Sequence, residues 1–235
     1  VGLGYTTILA NLAVALAKDT DKKFLIVESR ESHQKDNIHI YNIIKDRYEN
    51  LDIIVEKEDL DIDRICEEFD YFIVDIGPVD SSVSIDKILL TPGFVTIVTP
   101  TDNARKYCYA MLKSIIKAKE KEGLGKEENT DLVDECQIKL ITNLVKDSEQ
   151  AEPTNNGIIL TVKEYLNTDI DVLGNIPVDI NVIESTREYI PFVISYPDSA
   201  ASSAVYRIAK RLKLAENDMT ISKIREILTK IITLS

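Results

Sequence analysis

The residues best suited to chemistry lie in the opening segment Val1-Gly2-Leu3-Gly4-Tyr5-Thr6-Thr7, which runs into a helix-forming stretch rich in Ala and Leu. Glycines let a backbone approach a phosphate, while a helix N-terminus directs N–H groups and a positive dipole end toward it. A threonine hydroxyl can reach a magnesium ion at such a site. The spacing predicts a phosphate-binding loop, although Gly-x-Gly before a helix also occurs at ordinary strand-to-helix turns.

Tyr5 occupies the position at which phosphate-binding loops of the Walker type carry a lysine. A phenol has no positive charge to place beside a phosphate, so the predicted loop is a degenerate Walker A motif. Such a loop follows a strand, and the sequence opens inside the loop. We therefore expect a strand ahead of Val1.

Asp75 is the second residue with a predicted chemical role. It ends the apolar run Tyr71-Phe72-Ile73-Val74 and is followed by a turn at Gly77-Pro78. A carboxylate at the end of a strand can hold magnesium directly or through water. The alternative is that Asp75 caps the next helix.

These residues must be positioned by the elements around them, and apolar runs alternate with amphipathic segments along the chain. Strands are predicted at 24–28, 51–55, 71–75, 94–99, 138–143 and 172–177, and helices at 37–48, 61–69, 81–90, 102–121 and 158–166. The alternation predicts an α/β fold, a single doubly wound, mostly parallel sheet with helices on both faces. The charged segment 123–135 and the stretch 146–157, which contains Pro153, are predicted to be flexible connections.

Composition narrows the function classes. The net charge of −12 over 235 residues argues against sequence-independent nucleic-acid binding, which needs Lys and Arg to neutralise phosphates. Cys66, Cys108 and Cys136 lack C-x-x-C spacing, so we expect reduced, mostly buried thiols in a cytoplasmic protein. His33 and His39 have no neighbours at metal-ligand spacing and are predicted to be solvated.

Three segments near the end of the chain carry a family resemblance: Leu-Gly-Asn-Ile-Pro-Val-Asp at 173–179, Arg-Glu-Tyr-Ile-Pro-Phe-Val at 187–193 and Pro-Asp-Ser-Ala-Ala-Ser-Ser-Ala at 197–204. Together with residues 71–78 and 95–100, they resemble the MinD/ParA group of P-loop ATPases, in the branch of MinD and the flagellar-number regulators. The resemblance covers residues 1–214. It implies a P-loop ATPase domain over that range, followed by a C-terminal amphipathic helix over 215–235.

The resemblance also implies a bound ATP or ADP with magnesium. The residues that it assigns are Gly2, Gly4, Tyr5, Thr6 and Thr7 around the phosphates, Thr6 and Asp75 at magnesium, Asn143 at the adenine edge, and Pro177 and Asp179 in the loop around the base. It further implies a homodimer that recruits a protein partner in the cytoplasm, with the inner face of the membrane as a second location.

Two departures from the family concern hydrolysis. Besides Tyr5, the segment Glu28-Ser29-Arg30 aligns with the family's Asp-x-Asp, so that Arg30 replaces the water-activating carboxylate. Losing one charge-assisted contact costs roughly 1.5–3 kcal/mol in binding alone. The family's signature lysine would precede Val1. We therefore expect weak or no hydrolysis, with nucleotide binding retained. We also hypothesise that Arg30 supplies part of the positive charge lost at Tyr5. Unchanged nucleotide affinity in Arg30→Ala would refute this hypothesis.

Three functions compete at this point. The first is a MinD/ParA-like nucleotide switch that acts in positioning or assembling a cellular structure. The second is a pseudo-ATPase, in which the same fold serves as a scaffold or pairing partner with little or no nucleotide turnover. The third, an iron–sulfur reductase, needs cluster cysteines in glycine-rich loops, which the surroundings of Cys108 and Cys136 do not provide.

The C-terminal segment 219–234 places isoleucines and leucines at helical spacing, with basic residues at other positions. A basic amphipathic helix can lie in a membrane interface, as in MinD-like proteins, or it can pack on its own domain or a partner. Flotation with liposomes, with and without residues 216–235, distinguishes these interpretations.

Overall fold

The computed structural model describes residues 4–28, 40–41, 43–55, 60–77, 79, 82–123, 137–213 and 220–234. The elements in chain order are α1 Tyr5–Ala17, β1 Phe24–Glu28, β2 Leu51–Val55, α2 Ile62–Glu68, β3 Tyr71–Asp75, α3 Ser82–Leu89, β4 Gly93–Val98, α4 Asp102–Gly123, β5 Gln137–Val145, α5 Ser148–Leu166, β6 Ile170–Pro177, α6 Ile180–Arg187, α7 Phe192–Ser195, α8 Ala200–Lys213 and α9 Ile221–Thr233. Residues 40–41 and 43–45 are also helical.

The chain divides into two compact units. The first unit contains Val1–Pro78 and Asp179–Ser235, and the second contains Val79–Val178. In the first unit the strand order is β2-β1-β3, and both pairings are parallel. All residues of β1 are buried, as expected for a central strand covered on both faces.

In the second unit the strand order is β4-β5-β6, again parallel. Its core forms where α4 and α5 pack on the strands, around Leu112, Leu140 and Val162. Each predicted strand is present, with ends that differ by no more than two residues. The α/β fold class predicted from the alternation of elements is confirmed.

The prediction of a flexible stretch at 146–157 is wrong, because helix α5 begins at Ser148 and contains Pro153. Asp147 caps the helix by accepting the N–H of Gln150 at 2.8 Å. Further along, Asn155 accepts a hydrogen bond from Thr142, and its amide donates to Asn175 at 3.0 Å. These bonds to strands β5 and β6 outweigh the local turn preference. The predicted connection at 123–135 lies outside the described residues except for Gly123, which ends α4.

The C-terminal helix α9 packs on its own unit through its apolar face. Ile227, Leu228 and Ile231 are 8%, 2% and 0% exposed, and Leu228 shares a cluster with Leu25 of β1 and side chains of α2. Arg225 Nε lies 2.7 Å from Asp63 Oδ1 of α2. The amphipathic helix is confirmed, with its apolar face covered by the protein itself.

No helix in the described ranges combines the length and the hydrophobicity that crossing a bilayer requires.

Packing of α9 can be tested through Leu228→Ala. Because Leu228 is 2% exposed, the substitution should lower the free energy of unfolding by about 2–5 kcal/mol. The matched control is Ile221→Ala on the same helix, where the side chain is 59% exposed and the change should stay within about 0.5 kcal/mol. Equal, small effects in denaturant titrations would show that α9 is not packed on the unit in solution.

Candidate functional site

Of the predicted loop ahead of α1, the structure describes Gly4, whereas Val1, Gly2 and Leu3 lie outside the described residues. Gly4 is the N-cap in a left-handed conformation, with φ 73° and ψ 27°, which glycine adopts at little cost. The Ile8 N–H donates to the Gly4 carbonyl at 2.9 Å and closes the first helical turn. The first-turn N–H groups of a helix have no acceptor within the helix itself, and no acidic residue lies in this turn. This end of α1 is therefore suited to an anion.

Asp75 lies beside this loop, at the end of β3, and is 3% exposed. Its Oδ2 accepts a hydrogen bond from the Thr6 hydroxyl at 3.4 Å and another from the Tyr41 phenol at 2.9 Å. Its Oδ1 accepts the N–H of Gly77 at 3.0 Å. The structure thus brings the two residues predicted to hold magnesium into contact.

Burial raises the pKa of Asp75 above its ordinary value, while the hydrogen bonds from Tyr41, Gly77 and Thr6 act in the opposite direction without cancelling it. The pKa of Tyr41 is also raised, first by burial and then by the adjacent Asp75 and Glu28 carboxylates. Tyr41 therefore keeps its proton at neutral pH and serves as a donor to Asp75.

A second carboxylate stands next to Asp75 in the sheet. Glu28, the last residue of β1, pairs in register with Asp75 and is 0% exposed. Two neighbouring buried carboxylates create a negative potential that a cation reduces.

The donors at this position suit magnesium, which prefers oxygen ligands and keeps several waters. Thr6 offers a hydroxyl oxygen and Asp75 a carboxylate, and a bound nucleotide would add phosphate oxygens. Among the described residues no group of three or more His, Cys, Asp or Glu side chains is arranged to hold a metal.

Of the residues assigned to the adenine and the loop around it, Asn143 and Pro177 lie in the second unit and Asp179 lies in the first. Asn143 is 7% exposed on β5 and pairs with Ile176, while Pro177, at the end of β6, pairs with Val145. Both occupy carboxyl ends of parallel strands, the edge at which ligands of such sheets bind. Gly2 and Arg30 lie outside the described residues.

Asp179 has a structural use that sequence reasoning missed. Its Oδ1 accepts the N–H of Asn181 at 3.0 Å, and its Oδ2 accepts the N–H of Ala201 at 3.1 Å. One carboxylate thus caps both α6 and α8. Burial acts to raise the pKa of Asp179, but the N–H donors of Ala201 and Asn181 outweigh it and the pKa is lowered.

Asn11 was also missed by sequence reasoning. This fully buried side chain of α1 donates to the Thr7 carbonyl at 2.7 Å and accepts the N–H of Val193, in α7, at 2.9 Å. It fixes the first turns of α1, which carry the loop. The available signal was an Asn within an otherwise apolar helical run.

The cysteines that the structure describes are buried thiols, as predicted. Cys66 lies in α2 and Cys108 in α4. Burial raises the pKa of Cys66, and it raises that of Cys108 to about 11, against an opposing hydrogen bond with Thr96. Cys136 lies outside the described residues.

Comparison with solved structures identifies the fold. The ParA family ATPase from Chlorobium tepidum TLS is 19% identical with a TM-score of 0.60, over 90% of this chain and 94% of that chain. The septum site-determining protein MinD from Pyrococcus horikoshii OT3, complexed with Mg-ADP, is 20% identical with a TM-score of 0.62, over 93% and 95%. A chain of the MinC:MinD cell division protein complex of Aquifex aeolicus is 18% identical with a TM-score of 0.57, over 93% and 94%.

The chain has the MinD/ParA fold. No protein-family model matches the sequence, and no curated protein matches it. Gly4, Thr6 and the carboxylate of Asp75 lie in one unit of this chain.

The double cap at Asp179 predicts a pH-dependent loss of stability. Asp179→Ala should lower the free energy of unfolding by about 1–2 kcal/mol at neutral pH, since two helix N-termini lose an acceptor. Because the folded-state pKa is lowered, the ionic part of this stabilisation is present above the ordinary pKa of about 3.9 and is lost as the pH falls through the lowered value.

Denaturant titrations of the native chain and the variant should therefore converge as the pH falls below the ordinary pKa and through the lowered one. Asp198→Ala, which removes an exposed carboxylate from the same region, is the control. A stability difference that stays constant over this pH range would contradict the assignment of an ionised cap.

Proposed function

We propose that this chain is a MinD/ParA-like nucleotide-binding switch, which binds ATP or ADP with magnesium at its degenerate P-loop and hydrolyses ATP weakly or not at all. The observation that carries the proposal is the contact between Thr6 and the buried Asp75 at 3.4 Å. The two residues are far apart in sequence, and their contact is what a magnesium-nucleotide site of this fold requires.

The roles follow from the chemistry of each group. The backbone of Tyr5, Thr6 and Thr7 at the helix N-terminus would bind phosphate oxygens, aided by the helix dipole. The oxygen of the Thr6 hydroxyl would hold magnesium. Asp75 would accept a hydrogen bond from that hydroxyl or from a water bound to the metal. Magnesium, when bound, neutralises phosphate charge. Asp179, which lies in the same unit as Thr6, is proposed to contact the base through its backbone, because its carboxylate caps α6 and α8.

Weak hydrolysis follows from two residues. Tyr5 cannot supply the charge with which a lysine stabilises the phosphates in the transition state. Arg30, at the position of the family's water-activating carboxylate, cannot act as a base. Because hydrolysis would be slow or absent, ATP would stay bound for a long time and would act as a persistent signal.

We further propose that the nucleotide-bound chain dimerises and recruits a protein partner in positioning a cellular structure. The Aquifex aeolicus MinD chain is in complex with MinC, which supports partner binding by this fold. Ile180 and Ile183 on α6 are 63% and 50% exposed and offer an apolar contact surface. We propose that the protein carries out this role in the cytoplasm. Membrane attachment through 219–234 would require the buried face of α9 to leave its present contacts.

The alternative is a pseudo-ATPase scaffold that has lost nucleotide binding. One observation favours it: Tyr41, Thr6 and Gly77 already satisfy both oxygens of Asp75. The carboxylate therefore has hydrogen-bond donors from within the protein itself.

Calorimetry with ATP and with ADP, in the presence of magnesium, decides between these functions when phosphate release is followed in parallel. The chain should include any residues that precede Val1. Binding without appreciable turnover is the expected result. If millimolar nucleotide gives no binding, the switch is excluded and the scaffold is favoured.

Replacing Tyr5 by lysine tests the explanation for the degenerate loop. Tyr5→Lys should tighten nucleotide binding by about 10- to 100-fold, since one charge-assisted contact contributes roughly 1.5–3 kcal/mol. Tyr5→Phe, which adds no charge, should leave the affinity near that of the native chain. Equal affinities in Tyr5→Lys and Tyr5→Phe would show that the loop does not hold phosphates as proposed.

A further inference from the structure

We propose that Tyr41 is a positioning residue for the magnesium side of the site, because its phenol fixes the Asp75 carboxylate from a different part of the chain. The inference rests on the proposed nucleotide function and adds a residue to it. Neither the loop motif nor the strand motif includes Tyr41, which follows β1 in the sequence and precedes β2.

The carboxylate of Asp75 is held at both oxygens. The Gly77 N–H, from the turn directly after β3, binds Oδ1 at 3.0 Å, and the Tyr41 hydroxyl binds Oδ2 at 2.9 Å. Tyr41 precedes Asp75 in the sequence and Gly77 follows it. Together the two donors fix the rotation of the carboxylate plane. The Thr6 hydroxyl is the longest of the three contacts, at 3.4 Å.

This order of distances separates the roles of the two hydroxyls. Thr6 can turn its oxygen toward a metal ion while its proton stays directed at Asp75. The Tyr41 hydroxyl donates its proton to Asp75 Oδ2 at 2.9 Å, and a neutral phenol is a weaker ligand for magnesium than the carboxylate and phosphate oxygens that the ion prefers. Its contribution is therefore to the orientation of Asp75 and not to coordination.

Tyr41 is itself anchored. Its neighbours Ile40 and Ile44 are 8% and 0% exposed, and residues 40–41 and 43–45 are helical. The phenol cannot follow Asp75 if the carboxylate rotates, so the hydrogen bond restrains the acid. Removing hydrogen-bond partners of metal ligands or of the groups around a metal typically costs 10- to 100-fold in metal affinity.

The test is the magnesium enhancement, defined as the Kd for ADP in EDTA divided by the Kd for ADP with saturating magnesium. Tyr41→Phe should lower this ratio by about 10-fold or more, while the Kd for ADP in EDTA stays near the native value. The matched control is Tyr206→Phe, which removes a phenol hydrogen bond to the Val193 carbonyl in the same unit. It should leave both constants unchanged.

A double-mutant cycle with Asp75→Asn compares the magnesium enhancement in the single and double variants. It distinguishes a role through Asp75 from a purely structural role of Tyr41. If Tyr41 acts through Asp75, adding Tyr41→Phe to Asp75→Asn should cause no further loss of magnesium enhancement. Additive losses would overturn the inference. An unchanged or increased enhancement in Tyr41→Phe alone would also overturn it, and an increase would mean that Tyr41 competes with the metal.

The outcomes also separate this inference from the proposed function. If the native chain binds no ADP with or without magnesium, the proposed function fails and the inference fails with it. If the native chain shows magnesium-enhanced binding that Tyr41→Phe retains, only the inference fails. Thermal unfolding checks that each variant is folded.

Should Tyr41→Phe not fold, NMR of the native chain carrying ring-13C-labelled tyrosine replaces it. The signal of Tyr41 is expected to shift when magnesium is added to the ADP complex and to stay in place with ADP and EDTA. A Tyr41 signal that does not respond to magnesium would overturn the inference.

Discussion

The burial of one carboxylate constrains the first unit more than any other feature. An ionised group that is 3% exposed is costly unless hydrogen bonds replace its lost water. Asp75 receives donors from three separate segments: the first turn of α1, the helical residues after β1 and the turn after β3. The loop, the sheet and the 40–45 segment must therefore keep their mutual positions for the carboxylate to remain satisfied.

The same constraint bears on the proposed function, in which nucleotide is bound with little or no hydrolysis. The groups that would hold a magnesium nucleotide are built into the packed unit, through Thr6 and Asp75. The groups that would promote hydrolysis are the ones replaced, by Tyr5 and Arg30. A binding site of this kind is retained by the packing of the fold, whereas catalysis depends on single side chains at its edge.

Elements and site residues could be predicted from the sequence wherever a short stretch of neighbouring residues determines them. The alternation of apolar runs predicts each of the six strands in the described ranges. The Gly-x-Gly turn with Thr6 and the strand-end Asp75 predict the two residues that the structure brings into contact. Tyr41 gave no such signal, because an aromatic residue at a helical apolar position indicates only burial. The helix across Pro153 and Asn155, and the double cap at Asp179, depend on hydrogen bonds to residues distant in sequence. Local propensity cannot reveal such bonds.

The central claim is that Thr6 and Asp75 form the magnesium side of a nucleotide site, and crystals grown with ADP and manganese in place of magnesium test it most directly. Anomalous scattering at the manganese edge locates the ion independently of any refined side chain. The account predicts one peak bonded to the Thr6 hydroxyl, with Asp75 bound to it directly or through water. A peak away from both residues, or ADP bound without any peak, would contradict it.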